Sequence, residues 1–195
     1  MTAAAPQHHA TSPHAGPGRP RAFDMDAAVA AGMAVIRREG YEAASLDTLT
    51  REMGISRSSF YAAFGSKRGV LLAALEHYSA ARLRTLEGLA AGRDGLRRAL
   101  EALAGCHGDA HGCLLVNCVI ELCPRDAEVA ALGAQHLGRI EAILAARLPE
   151  GADRATRAKA LVAAALGAQT LRKGGEAPDA VAAALLLALD RLASA

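Results

Sequence analysis

From Ser56 to Lys67 the chain reads SRSSFYAAFGSK, a dense run of hydroxyls and cations around two phenyl rings. On a helix turning about 100° per residue, Phe60, Ala63 and Phe64 fall on one side. Ser58, Tyr61 and Ala62 fall on the other, flanked by Arg57 and Ser59. The first side must be buried, whereas the second offers only small or hydrogen-bonding groups. No general base or metal ligand accompanies these hydroxyls, so their chemistry is recognition: base edges and phosphate oxygens. Arg57 could pair bidentately with a guanine in a major groove. Ser66 caps a further helix that opens with Lys67 and Arg68, where a phosphate would meet two cations and a helix N-terminus. The competing reading of the same face is a merely solvated surface.

A second group of reactive types lies in 106–123, CHGDAHGCLLVNCVIELC, which gathers all four cysteines with two histidines. Asn117 and Glu121 share a helix face at four-residue spacing. His107, His111, Cys113, Asn117 and Glu121 are therefore the candidates for an effector region. Cys113, Cys118 and Cys123 turn about 140° at each five-residue step and spread about 15 Å along a helix, so they cannot converge on one ion. Cys106, His107, His111 and Cys113 straddle a turn, which leaves open a Zn²⁺ or Cu site or a reversible Cys106–Cys113 disulfide. Against this stands the packing of free cysteines as small buried hydrophobes in a reducing cytoplasm. No metal or cofactor is assigned. Catalysis is not expected either: no glycine-rich phosphate loop, metalloprotease helix or nucleophile elbow is present, and His136 has no recognisable nucleophile beside it in the sequence.

The elements that would hold the hydroxylated face are short and sharply bounded. Ser45 is placed to cap a helix with Leu46, Leu49 and Met53 at helical spacing, and Gly54 stands just past its end. Ser56 then caps the helix that carries Arg57–Phe64. Upstream, Met25, Ala28, Val29, Gly32, Met33 and Ile36 form an apolar stripe able to cover both short helices, and Gly40 ends it. A three-helix module with a helix-turn-helix is the expectation.

The run from Phe23 to Leu72 resembles the DNA-binding domain of the TetR (tetracycline-repressor) family. The resemblance is carried by Gly40-Tyr41, Ser45-Leu46-Asp47, Met53-Gly54-Ile55-Ser56 and the stretch from Phe60 to Lys67. It implies a homodimeric repressor of transcription, released from a palindromic double-stranded operator by a small-molecule effector. By position in the motif, Arg57, Ser58, Ser59 and Tyr61 would lie on the recognition helix, while Ser45, Thr48, Tyr61 and Lys67 would reach phosphates. Ala62 departs from the pattern, since a larger side chain often reads a base there; specificity would then lean on Arg57 and the N-terminal arm.

That arm, residues 1–22, is rich in Ala, Pro, His and Gly without periodicity and is expected to be disordered off DNA. Its end carries Arg19 and Arg21 around Pro20, which either enter a narrow A/T-rich minor groove or act as an ordinary charged linker. Residues 23–68 form the expected DNA-binding domain and 69–195 a helical ligand-binding and dimerisation domain, giving an all-α chain. Net charge is only +2 and 52% of residues are hydrophobic, so clustering of cations, not their sum, would favour DNA. No run suits a secretory signal or a membrane span, and a cytoplasmic protein is expected.

Beyond Leu72 the pattern is helical throughout, with helices expected near 67–90, 94–106, 112–123, 125–148, 153–172 and 178–193. The last two are apolar on more than one side, through Leu161, Val162, Ala165 and Leu166, and Val181, Leu185, Leu187 and Leu189. A core on one side and a symmetry mate on the other would satisfy both. Every aromatic and every Met lies in the first 78 residues, which disfavours a downstream pocket for a large stacking ligand. Two alternatives remain from the sequence: a thiol- or metal-responsive regulator using 106–123, and a helical small-molecule-binding protein that does not bind DNA.

Overall fold

The computed structural model describes residues 23–92, 94–106, 111–123 and 125–193. The arm with Arg19 and Arg21, and His107, lie outside the described residues. Among those described, every regular element is an α-helix: α1 (Met25–Glu39), α2 (Leu46–Glu52), α3 (Arg57–Phe64), α4 (Lys67–Ala90), α5 (Gly95–Leu103), α6 (Leu114–Leu122), α7 (Ala127–Ala145), α8 (Arg154–Lys173) and α9 (Pro178–Ala193).

The starts and stops follow from single residues. Ser45, Ser56 and Ser66 each accept a backbone N–H three residues on, from Thr48, Ser59 and Gly69, at 3.0, 3.1 and 3.0 Å. Each such cap contributes about 1 kcal/mol. The turn between α2 and α3 needs a positive φ, which Gly54 supplies at +66°. There the Gly54 N–H bonds the Arg51 carbonyl and the Ile55 N–H the Thr50 carbonyl, both at 3.1 Å, a Schellman closure that fixes the exit angle toward α3. Asp126 caps α7 by accepting from the Glu128 and Val129 N–H groups at 3.1 Å, so that helix begins two residues later than its apolar pattern suggests. Likewise Cys113 and Cys123 are the cap residues of α6 rather than members of it.

Helix α4, 24 residues and about 36 Å long at the usual rise, links two apolar cores. Its first half packs with α1, and Phe60, Leu49, Ile36 and Val70 are fully or nearly fully buried there. This core continues into Leu114, Leu115 and Cys118 of α6 and Val129 of α7. Its second half, from Leu83 to Ala90, joins α5, α7, α8 and α9 around Leu100, Ile140, Leu144 and Leu161. Burying one leucine or isoleucine side chain stabilises the fold by about 1.5–3 kcal/mol, so both ends of the strut are firmly seated. Helices α8 and α9 bury Leu161, Ala165, Val181 and Leu185 inward, yet Leu171 and Leu187 on the outer side stay 50% and 61% exposed. A groove of about 510 Å³ runs between them, floored by Gly167, Ala168, Ala184 and Ala188.

Candidate nucleic-acid interface

Helix α3 is anchored from behind. Phe60 has no exposed surface, and Phe64 packs on it with ring centroids 5.8 Å apart. Tyr61 meets the edge of Phe60 at 5.6 Å but leaves 53% of itself exposed. Arg57, Ser58 and Ala62 are exposed on the same side and Ser59 is half-buried. The hydroxyls already form a local chain: Ser58 Oγ lies 2.9 Å from Ser56 Oγ, which donates to Ser59 Oγ at 3.0 Å. On the neighbouring helix, Thr48 Oγ1 and Ser45 Oγ are 2.9 Å apart at the exposed start of α2.

The cations around this face have partners of their own. Arg57 pairs with the Asp47 carboxylate across the turn, both side chains being largely exposed; such a pair is screened and worth little, and a duplex could displace it. Lys67 Nζ donates to the Glu42 carbonyl oxygen at 3.1 Å and sits 4.6 Å above the Tyr41 ring. Arg68 corrects an expectation. Though still exposed, it is already engaged: it makes a two-pronged contact with Asp126 at 2.8 and 2.9 Å and a third with Glu128 at 2.8 Å. Bidentate, charge-assisted geometry outcompetes solvent here, and the guanidinium holds the Asp126 carboxyl down at about 2. Arg68 therefore fastens the start of α4 to the start of α7.

The model of bacterial regulatory proteins of the tetR family matches residues 28–74, covering α1 to the first third of α4. Over nearly the whole chain, the fold superposes on the TetR family transcriptional regulator CifR, a cysteine mutant complexed with 26 bp double-strand operator DNA. The TM-score is 0.76 at 28% identity, covering 89% of this chain and 98% of that one. Residues 28–74 are thus a DNA-binding domain of the tetR family, on a fold similar to that of TetR family regulators. Among curated relatives, the HTH-type transcriptional regulator YezE of Bacillus subtilis is 31% identical over 120 residues, 58% of this chain and 62% of that protein. The HTH-type transcriptional repressor BdcR of Escherichia coli is 40% identical over 62 residues, 32% of each chain. The matches thus span less than two thirds of these relatives' own length.

The effector-region candidates divide between two places. His111, Asn117 and Glu121 line a cavity of about 430 Å³ between α1 and α6, together with Ile36, Arg37 and Lys173. Glu121, the sole charge on α6, accepts the Tyr41 and Glu42 backbone N–H groups at 3.2 and 2.8 Å and so ties α6 to the turn after α1. Asn117 donates to the His111 carbonyl and accepts from Lys173 Nζ, both at 2.9 Å. Cys113 lies elsewhere, buried, with its Sγ 3.9 Å from His136 Nε2, while Ser79 Oγ stands 2.8 Å from His136 Nδ1. Burial and the nearby Arg82 charge hold the His136 imidazole at about 4, neutral at pH 7.

The four cysteines are free. Burial raises the thiol pKa of Cys106, and that of Cys118 to about 12, so neither is a thiolate at neutral pH. No group of three metal-ligating side chains converges among the described residues. Of the alternative set Cys106, His107, His111 and Cys113, His107 lies outside the described residues, and exposed His111 lines the junction cavity while Cys113 is buried beside His136. The sequence reading missed Gln169. Its Oε1 accepts the Cys113 N–H at 2.9 Å and its amide nitrogen donates to the Leu103 carbonyl; the signal was an amide on the apolar stripe of α8. No described helix is long and apolar enough to cross a membrane.

Proposed function

We propose that this chain is a cytoplasmic, homodimeric repressor that binds a palindromic double-stranded operator through α3 and is released by a small molecule. The observation that carries the reading is α3 itself: Phe60 is fully buried behind it while Arg57, Ser58 and Tyr61 stand exposed in front. An interior helix would not spend its outer face on hydroxyls and a cation, and the major groove accepts a helix with such groups at its start. Support comes from the similarity to CifR, whose structure holds double-strand operator DNA. Ser45 and Thr48 at the α2 start, Tyr61 on α3 and Lys67 at the α4 start would supply phosphate contacts, with Arg57, Ser58 and Ser59 nearest the bases. Arg19 and Arg21 of the arm would add minor-groove contacts. Dimerisation is assigned to the outer α8–α9 face, where leucine and alanine stay exposed in one chain. The test is selection of duplexes from random DNA by the purified protein, followed by binding of the winner across a salt series. A palindromic consensus with salt-dependent affinity is expected; recovery of no consensus would leave a helical small-molecule-binding protein as the better description.

One observation favours a thiol-responsive form of the control step. Cys113 Sγ lies 3.9 Å from His136 Nε2, so oxidation of this buried thiol would disturb a polar contact in the core. Cys113→Ser should then abolish loss of operator binding under peroxide, and an unchanged response would remove this form while leaving the DNA reading intact.

A further inference from the structure

The junction cavity combines an apolar floor with an excess of positive charge, and it lies between α1, α6 and the end of α8. Its floor is Ile36 of α1 with Leu114 and Ile120 of α6; Ile120 is 76% exposed, an uncommon state for a side chain of that size at a cavity rim. The charged lining is Arg37, Arg38, Glu39, Glu121 and Lys173, with His111 at the edge. Arg38 and Glu39 pair with each other at 2.7 Å. Glu121 turns both oxygens onto backbone N–H groups, which spreads its charge into the α1–α2 turn. Lys173 makes no ion pair with a carboxylate among the described residues, and Asn117 Oδ1 holds its ammonium at 2.9 Å. Asn117 is in turn fixed by the His111 carbonyl. The cation is thus positioned in advance, at the mouth of an apolar hollow.

We infer that this cavity binds a small amphipathic carboxylate, its anionic head between Lys173 and Arg37 and its hydrocarbon body against Ile36, Leu114 and Ile120. The site deepens the effector reading and rests on it for its regulatory consequence. Arg37 Nη2 donates to the Gly112 carbonyl at 3.4 Å, a bond from α1 to the segment that leads into α6. A carboxylate head competes for both this guanidinium and the Lys173 ammonium, and so alters the tie between the reading head and α6. An uncharged molecule of the same shape would gain the apolar contacts without that competition.

Calorimetric titration of the full chain with octanoate, and with 1-octanol as the neutral probe, tests the site. Octanoate should bind saturably and at least about tenfold more tightly than octanol, as expected for one charge-assisted contact, and more weakly as salt rises. Lys173→Gln should reduce octanoate affinity by about tenfold, Lys173→Arg should retain it, and Lys159→Gln, a surface charge loss elsewhere, should change nothing. Absence of saturable octanoate binding, equal affinity for the two probes, or an unchanged Lys173→Gln protein would each overturn the assignment. Operator binding measured with and without octanoate separates the two layers. A protein that binds octanoate through Lys173 yet grips DNA equally well keeps the site and loses the effector reading.

Discussion

The two exposed faces of this chain have opposite chemistry. On α3 the outward groups are a guanidinium, hydroxyls and a phenol, backed by a fully buried phenyl ring. On the groove between α8 and α9 they are chiefly alanine and leucine, with Leu171 half exposed and Leu187 more than half. A hydroxylated face needs water or a polar partner and is stable alone, whereas an apolar face of this size asks for another apolar surface. In the proposed reading the difference matches the partners: a duplex for the first, a second copy for the second. It also separates the consequences of mutation: damage to α3 should leave the dimer intact, whereas damage to the α8–α9 face should cost the dimer and operator binding with it.

The largest effect is expected at Phe60. Phe60→Ala should cost about 3–5 kcal/mol, read as a fall in the urea midpoint, because the ring is the rear anchor of α3. A loss below about 1 kcal/mol would mean that the helix is held by something else. At the other end, Ala184→Glu places an unpaired carboxylate on the outer α9 face. It should weaken dimerisation by about 2–5 kcal/mol in sedimentation experiments, with the monomer still folded and operator binding lost; an unaltered dimer would move the interface elsewhere.

Next in size is a pH effect located between the faces. The folded-state pKa of His136, about 4, lies below the unfolded value near 6.5. The unfolded chain therefore binds the extra proton, and this contribution is fully present above pH 6.5 and fades as pH falls toward 4. Its slope is at most about 1.4 kcal/mol per pH unit. Urea titrations at several pH values should show His136→Gln with a flatter stability profile in that window, and parallel profiles would contradict the burial of a neutral imidazole. Smallest is the effect at single phosphate contacts: Tyr61→Ala or Lys67→Ala should lower operator affinity by about 1 kcal/mol while the dimer persists, and the lysine variant should reduce the salt slope by about one. Unchanged affinity in both would count against these contacts.

Much of the reading head was legible in the sequence because its determinants are close neighbours. Ser45, Ser56 and Ser66 each act three residues away, Gly54 closes the turn it stands in, and the two sides of α3 follow from helical period alone. The junction was not legible, because its bonds join distant positions. Glu121 reaches Tyr41 across 80 residues, Arg68 reaches Asp126 across 58, and Gln169 reaches Cys113 across 56. A lone acid on an apolar helix and a lone amide on an apolar stripe were the local hints, yet nothing local says what either one meets. Arg68 shows the same limit: its neighbours suggested a cation left for phosphate, and a remote carboxylate pair engages it.

The most direct measurement is fluorescence anisotropy of the protein on its selected palindrome and on a scrambled duplex of equal length and composition, with wild type and Tyr61→Ala compared at physiological salt. Wild type should prefer the palindrome by about a thousandfold or more, and Tyr61→Ala should bind it more weakly through an intact dimer. Equal affinity for both duplexes would contradict the assignment of α3 as the reading helix.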